Sequence, residues 1–368
     1  MDRPEMPRAP SRFPARPAKA TMTHKQWRVT KAQITATGPG CSSLSWVVWL
    51  RAGTLGPWQC CDRLAIRGLM QAIIDCMSDE HALTDSGILM RWEPTVDSTN
   101  ARLMLAPWPD AGLRPPPDLV ARCLLTDHQS AGRGRHRKRW HDEPGACLLM
   151  SLSIDRNKAS WPPALAAFSL ACAATVAQRL EDERMQLEAS LPASAPLFWV
   201  KWPNDLVRYR EGRGLSKLAG LLIETRQQAG QSRLVIGLGV NLLPPQSAVA
   251  DAQALPADAL FTGDEALSHQ LDLDWRKSLA RRLSQDLLGC WIDFERHGLA
   301  AFERLIHRRD VLRGRQLMVQ DEGHDDWTEA LGQGIDDRGY LRILCQRPGV
   351  PSPRLEFIHQ GSVRLKSG

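Results

Sequence analysis

No stretch of these 368 residues approaches the ~20 consecutive apolar residues that span a bilayer. The best candidate, Leu44 to Leu50, is far too short, and residues 1–40 hold no apolar core of a secretory signal. No CxxC pair exists among the nine cysteines, which stand at 41, 60, 61, 76, 123, 147, 172, 290 and 345. That odd count and irregular spacing exclude a zinc ribbon or finger and leave reduced thiols in a cytoplasmic protein as the simplest reading. The pattern GxxxxGK[ST] of a P-loop is also absent, and no internal repeat is found.

The chain does have a net charge of +6, but that charge is localised. Residues 1–76 carry 11 Lys and Arg against 4 Asp and Glu; the remaining 292 carry 36 against 37. The body has no bulk charge that calls for nucleic acid, and neither a nucleic-acid nor a membrane partner is expected. The first seventeen residues contain five prolines and four arginines, a composition that cannot easily build a core. Residues 1–87 are read as an atypical extension. It is a disordered tail, a targeting segment, or residues upstream of a true start near Met77; the last is preferred because ordered patterning begins only after Met77.

From residue 88 strands and helices alternate. Met90–Trp92, Cys123–Thr126, Ala146–Ile154, Phe198–Lys201, Leu218–Thr225 and Leu234–Val240 read as strands. Trp161 to Leu180 reads as a buried helix, with Pro162 in its first turn and apolar residues nearly all round. Trp275, Leu279, Leu283, Leu287 and Trp291 recur every four residues, which predicts an amphipathic helix, and Leu299–Arg308 a shorter one. After Asp310 short β segments follow at 316–319, 340–345, 355–358 and 362–365. The expected domains are 1–87, an α/β body over 88–309 and a small β-barrel over 310–368.

Four segments carry candidate chemistry. Asp97-Ser98-Thr99-Asn100 has short polar side chains suited to capping a helix, and an ordinary cap remains an open reading. Gln129 to Trp140 holds Gly132 and Gly134, and five of its seven residues from Arg133 to Arg139 are Arg or Lys. Such a loop is costly to order until a polyanion arrives, because its charges repel and guanidinium groups bind phosphate oxygens in pairs; a solvated basic loop is the alternative. Lys201-Trp202-Pro203-Asn204-Asp205 presents Lys, Asn and Asp around a strand end, where α/β domains bind ligands, and Asp with Asn suits Mg²⁺ and its phosphates. A capped turn with a surface ion pair is the plain alternative. Lys217 opens a strand, and Gly237-Leu238-Gly239-Val240-Asn241 offers glycines where a flat ligand approaches the backbone; a solvated lysine and a bulged strand are the plain alternatives.

The order of these segments resembles the biotin protein ligase family, whose pattern runs STN, QxAGRGRxGRxW, KWPND, KxxGIL-x-E, GxGxN. Here they stand as Ser98–Asn100, Gln129–Trp140, Lys201–Asp205, Lys217–Glu224 and Gly237–Asn241, within a match covering about residues 88–366. The resemblance implies an α/β (α+β) catalytic domain of the class II aminoacyl-tRNA synthetase and biotin–lipoate ligase type, with a small C-terminal SH3-like β-barrel. It implies ATP-dependent formation of biotinyl-5′-AMP and transfer of biotin to a lysine of a biotin carboxyl carrier domain, with ATP and Mg²⁺ required and no tightly bound metal.

By the same resemblance, Ser98, Thr99, Asn100, Gln129, Arg133, Gly134, Arg135 and Lys217 would hold biotin. Gly132, Arg133, Arg135, Lys138, Trp140, Lys201, Asn204, Asp205 and Asn241 would hold ATP or the adenylate, with Asp205 near Mg²⁺. Arg135 and Lys217 would be catalytic. Two departures stand out: Arg137 replaces the loop's third glycine and Lys138 an arginine. No two-helix pattern with a recognition helix is legible in residues 1–87, so a ligase without repressor function is expected. A lipoate or octanoate ligase and a biotin-sensing DNA-binding regulator are the alternatives, and a homodimer is left open.

Overall fold

The computed structural model describes residues 29–36, 44–51, 82–83, 87–108, 119–135, 138–157, 160–187, 197–210, 214–245, 255–261, 271–322, 326–346 and 352–366. The chain divides into two units, residues 1–72 and 73–368. In the first, β1 (Val29–Ala36) and β2 (Leu44–Arg51) form an antiparallel pair, with Val29 opposite Arg51 and Ala36 opposite Leu44. The Pro/Arg-rich start and Met77, on which the reading of the extension turned, lie outside the described residues.

The second unit is built on one eight-stranded sheet. Its strands are β3 (Ala82–Leu83), β4 (Leu89–Val96), β5 (Leu119–Gln129), β6 (Cys147–Arg156), β7 (Trp199–Lys201), β8 (Asp205–Arg210), β9 (Gly214–Gln228) and β10 (Gln231–Asn241). They lie in the order β3-β4-β5-β6-β10-β9-β8-β7, with only β4 and β5 parallel. Every residue of β6 is buried, so both faces of the sheet are covered there.

Alternation along the central strands assigns the faces. Leu148, Met150, Leu152 and Ile154 of β6, with Leu234, Ile236 and Leu238 of β10, enter the main core. Against it pack α2 (Phe168–Leu187) and α3 (Leu273–His297). The intervening residues face the other way. Val235 joins Leu124 and Leu103 in a small second cluster beneath α1 (Thr99–Leu105). Cross-strand register makes that second face an ordered row of pairs: Arg233 with Asp155, Val235 with Ser153, Gly237 with Ser151, Gly239 with Leu149, Asn241 with Cys147.

The helix expected from Trp161 begins later. Ala164 takes a left-handed conformation (φ 57°), a single turn of 3₁₀ helix covers Leu165–Ala167, and α2 starts at Phe168. Pro162 therefore belongs to the approach rather than to the first turn. The four-residue period of α3 is real: Leu279, Leu283, Leu287 and Trp291 are buried, and Asp272 caps the helix by accepting from Trp275 N at 2.9 Å. Among the described residues no helix is long and apolar enough to cross a membrane.

A 3₁₀ turn (Gly298–Phe302) and α4 (Glu303–Arg309) lead to the C-terminal sheet of β11 (Gln316–Asp321), β12 (Thr328–Ile335), β13 (Leu341–Cys345), β14 (Arg354–Ile358) and β15 (Gly361–Leu365). All its pairings are antiparallel, in the order β14-β13-β12-β11-β15. β12 was not among the expected strands; it carries Gly332 and Gly334, and a bulge between them breaks the alternation a strand is read from. Buried Glu181 of α2 accepts from Leu197 N, Phe198 N and both terminal nitrogens of Arg309, fixing the approach to β7 from two elements.

Candidate active site

The second face of the sheet gathers the chemistry. At one end lies the N-terminus of α1. Ser98 caps it, accepting from Ala101 N at 3.4 Å. Thr99 N and Oγ1 both donate to Gln129 Oε1, at 2.8 and 3.1 Å. Ser151 Oγ, on the strand below, stands 2.7 Å from Thr99 Oγ1 and 2.6 Å from Asn100 Oδ1, one proton shared between two acceptors. Asn100 Nδ2 donates to Leu222 O and to Glu224 Oε2. All four of Ser98, Thr99, Asn100 and Gln129 are buried. Burial without partners would cost each of them a hydrogen bond, so the network fixes their positions.

Gly237 lies directly under Asn100: a Cβ there would overlap Asn100 Oδ1. Two residues on, Gly239 lies under Trp140, and a Cβ would stand 2.6 Å from the indole Cζ2. Gly220 of the neighbouring strand meets the same ring. The glycines do admit a flat group against the backbone, and in this structure that group is the chain's own Trp140. Successive same-face residues of a strand are roughly 7 Å apart, so Gly237, Gly239 and Asn241 mark out a slot-like strip about 13 Å long, covered here by Asn100 and Trp140.

At the other end charges converge. Lys217 Nζ pairs with Asp205 Oδ1 at 2.8 Å and lies 5.6 Å from the Trp140 ring centroid. Lys201 Nζ is 4.0 Å from Asp205 Oδ2. Burial alone would raise the Asp205 carboxyl, yet the Lys217 and Lys201 ammoniums outweigh it and hold it below the usual carboxylate range. Burial lowers Lys201, Asp205 opposes that, and Lys217, Arg135 and Lys138 reinforce it. Asn204 donates to Leu221 O at 2.6 Å and accepts from Arg135 Nη1 at 3.4 Å. Burial also lowers Arg135, against the charges of Asp205 and Glu322.

The basic segment is a short tongue. Trp140 N donates to Gly132 O, Arg133 pairs with Arg139 across it, and Gly134 N donates to Lys138 O. His136 and Arg137 lie outside the described residues. Arg133 Nη2 stands 3.6 Å from Glu224 Oε1. Asn241 uses both amide protons on Lys217 O and Asp258 O, and its Oδ1 accepts from the Cys147 thiol. Burial pushes that thiol up to about 12. Residues 255–261 thus line the Lys217 end: Lys217 N donates to Pro256 O and Asp258 N to Lys217 O.

Of the residues singled out in the sequence, the described ones lie on this face or at its two ends; Arg137 is outside the described residues. Sequence reasoning missed Ser151, in a run that reads only as a buried strand, and gave no role to Glu224. It also missed the Asp258 segment, which has no pattern of its own. Among the described residues no group of three or more His, Cys, Asp or Glu is placed to hold a metal.

Comparison with known proteins points the same way. Residues 120–241 match the Biotin/lipoate A/B protein ligase family. The bifunctional ligase/repressor BirA of Escherichia coli is 28% identical over 282 residues, covering 74% of this chain and 73% of that protein. The biotin–[acetyl-CoA-carboxylase] ligase of Mycobacterium tuberculosis is 30% identical over 230 residues, covering 61% and 73%. The structure of the biotin protein ligase from Aquifex aeolicus in complex with biotin and ATP superposes with a TM-score of 0.53 at 21% identity, over 75% of this chain and 99% of that one, which is a likeness of fold.

Proposed function

The chain belongs to the biotin protein ligase family, and from that premise we propose that it joins biotin to ATP as biotinyl-5′-AMP and passes the biotinyl group to a lysine of a biotin carboxyl carrier domain. The observation that carries this reading is the slot itself: a hydrogen-bonding end at Thr99 and Gln129, a glycine floor, and Lys217 beside a basic tongue at the far end. An acid with a polar head would set the head toward Thr99 and Gln129 and its carboxylate toward Lys217, along the strip that Asn100 and Trp140 cover here.

In the first step the biotin carboxylate attacks the α-phosphorus and pyrophosphate leaves. Lys217 and Arg135 neutralise the charge that gathers on the phosphoryl oxygens, a role of positioning and electrostatics rather than covalent chemistry. Gly132, Arg133, Gly134 and Lys138 belong to the tongue that covers the mixed anhydride and keeps water from it. In the second step the acceptor amine attacks the acyl carbon and AMP leaves.

Asn100 and Asn241 have both amide protons engaged within the protein, so we assign them to support: Asn100 steadies Thr99 and the floor, and Asn241 steadies Lys217. The donor set is not a metal centre, because Asp205 is flanked by two ammoniums. Mg²⁺ is assigned to the ATP phosphates, with Asp205 the carboxylate at hand. The five buried free thiols among the described residues suit a reducing, cytoplasmic setting.

Intact-mass measurement of an apo carboxyl carrier domain, incubated with the protein, MgATP and either biotin or octanoate, tests the reading. One ATP-dependent biotin on the acceptor supports it. Octanoate transfer instead would move the chain to the lipoate branch of the same family. Transfer of neither acid by folded protein would leave a ligand-sensing role.

A further inference from the structure

Glu224 closes the Lys217–Glu224 motif, yet it lies at the opposite end of the slot from the Lys217 charge cluster. Its strand partner is Val235, on the face that carries the site. One carboxylate oxygen, Oε2, accepts from Asn100 Nδ2 at 2.8 Å. Asn100 cannot yield: it is buried, its Oδ1 is held by Ser151, and it rests on Gly237. The carboxylate is therefore aimed, and its other oxygen faces Arg133 at 3.6 Å. Arg133 is the first cation of the tongue, one residue beyond the Gly132–Trp140 closure.

We propose that Glu224 is a positioning residue that latches the basic tongue down: Asn100 fixes the carboxylate, and the carboxylate holds Arg133. Described residues of the tongue lie against the site with Arg133 on Glu224, Arg135 on Asn204 and Trp140 on the glycine floor. The first of these is an ion pair, and it is partly exposed, with side chains 48% and 31% accessible. Such a pair is weak and sensitive to salt. It therefore suits a cover that must open once per turnover. Its consequence for catalysis, longer retention of the adenylate, rests on the ligase reading; the latch itself does not.

The test is limited trypsin digestion of the ligand-free protein, following cleavage after Arg135 in wild type, Glu224→Gln, Arg133→Gln and the double variant. Glu224→Gln keeps an acceptor for Asn100 and removes the charge. Cleavage about two- to fivefold faster in either single variant is expected, with no further gain in the double variant. Raising salt toward roughly half-molar should speed cleavage of wild type more than that of Glu224→Gln. Equal rates and equal salt responses in wild type and Glu224→Gln, with matching thermal melts, would overturn the latch. Release of biotinyl-5′-AMP from Glu224→Gln should quicken by a similar factor. If the wild type forms no adenylate while digestion behaves as expected, the functional reading fails and the latch stands.

Discussion

Trp140 occupies the room that a side chain at position 239 would need, its indole seated on the bare backbone of Gly239 with Lys217 beyond the ring. A glycine here is a matter of space between two sheet-face residues, not of backbone conformation. Gly239→Ala should push the indole off the floor at a cost of about 1–3 kcal/mol. The KM for ATP should rise more than the KM for biotin, because the displaced ring borders the charged end. ATP-dependent pyrophosphate release, titrated in each substrate, measures both; equal rises would break the link between Trp140 and the nucleotide end.

Lys217→Ala removes the cation nearest Asp205. The rate of adenylate formation should fall by about 100-fold or more, as for loss of a charged group at the reacting centre. Fold is retained because the side chain is not part of the core. Single-turnover adenylate formation read by mass is the check, and near-wild-type turnover would remove Lys217 from the mechanism.

Arg233 is fully buried, pairs with Asp155 through two nitrogens, and donates to the carbonyls of Leu103, Met104, Ala106 and Pro107. It thereby ties down the C-terminus of the short helix whose N-terminus carries Thr99 and Asn100. Arg233→Met should cost about 3–5 kcal/mol, the penalty for breaking a buried pair on one side, even though Arg122 still reaches Asp155. Urea denaturation gives the number. In conditions where the variant is folded, weaker binding of biotin is expected.

Asp310 is buried; its Oδ1 accepts from Leu312 N and its Oδ2 has no partner. Burial raises its carboxyl above 3.8, against the pull of nearby backbone amides, Arg313 and His307. Between the ordinary and the raised value the folded chain keeps a proton that the unfolded chain has released, so stability falls as pH rises through that window. Asp310→Asn should be more stable than wild type near neutrality by about 1–2 kcal/mol. The gap should close as pH drops to about 3.8. Melting curves of the two proteins across that range decide it, and a gap independent of pH would acquit Asp310.

Much of this was legible in the sequence because the site is carried by strand ends and one short loop, where glycines, prolines and charges interrupt the apolar pattern. Lys217, Asp205, Arg135 and the two floor glycines stand out in that way. Ser151 does not: its hydroxyl sits in a strand buried on both faces, and nothing in a continuous buried run reveals which side matters. Arg233 is equally hidden, since its partners are carbonyls some 130 residues away. The late start of α2 turned on one left-handed residue, Ala164, which helix propensity cannot anticipate.

The indole of Trp202, in the corner that bears Asn204 and Asp205, donates to Gly339 O in the turn between β12 and β13, and Gly339 in turn packs on Ala167. Val311 N meets Val200 O beside it. The C-terminal sheet is therefore a brace for the corner that bears Asn204 and Asp205 and not an appendage. A chain cut after Asp310 would strand a buried indole N–H and open the floor beneath the corner. Evolution would then find it hard to trade this module for another: the two parts should melt in one step, and exchanged C-terminal sheets should fail unless the Trp202–Gly339 seam travels with them.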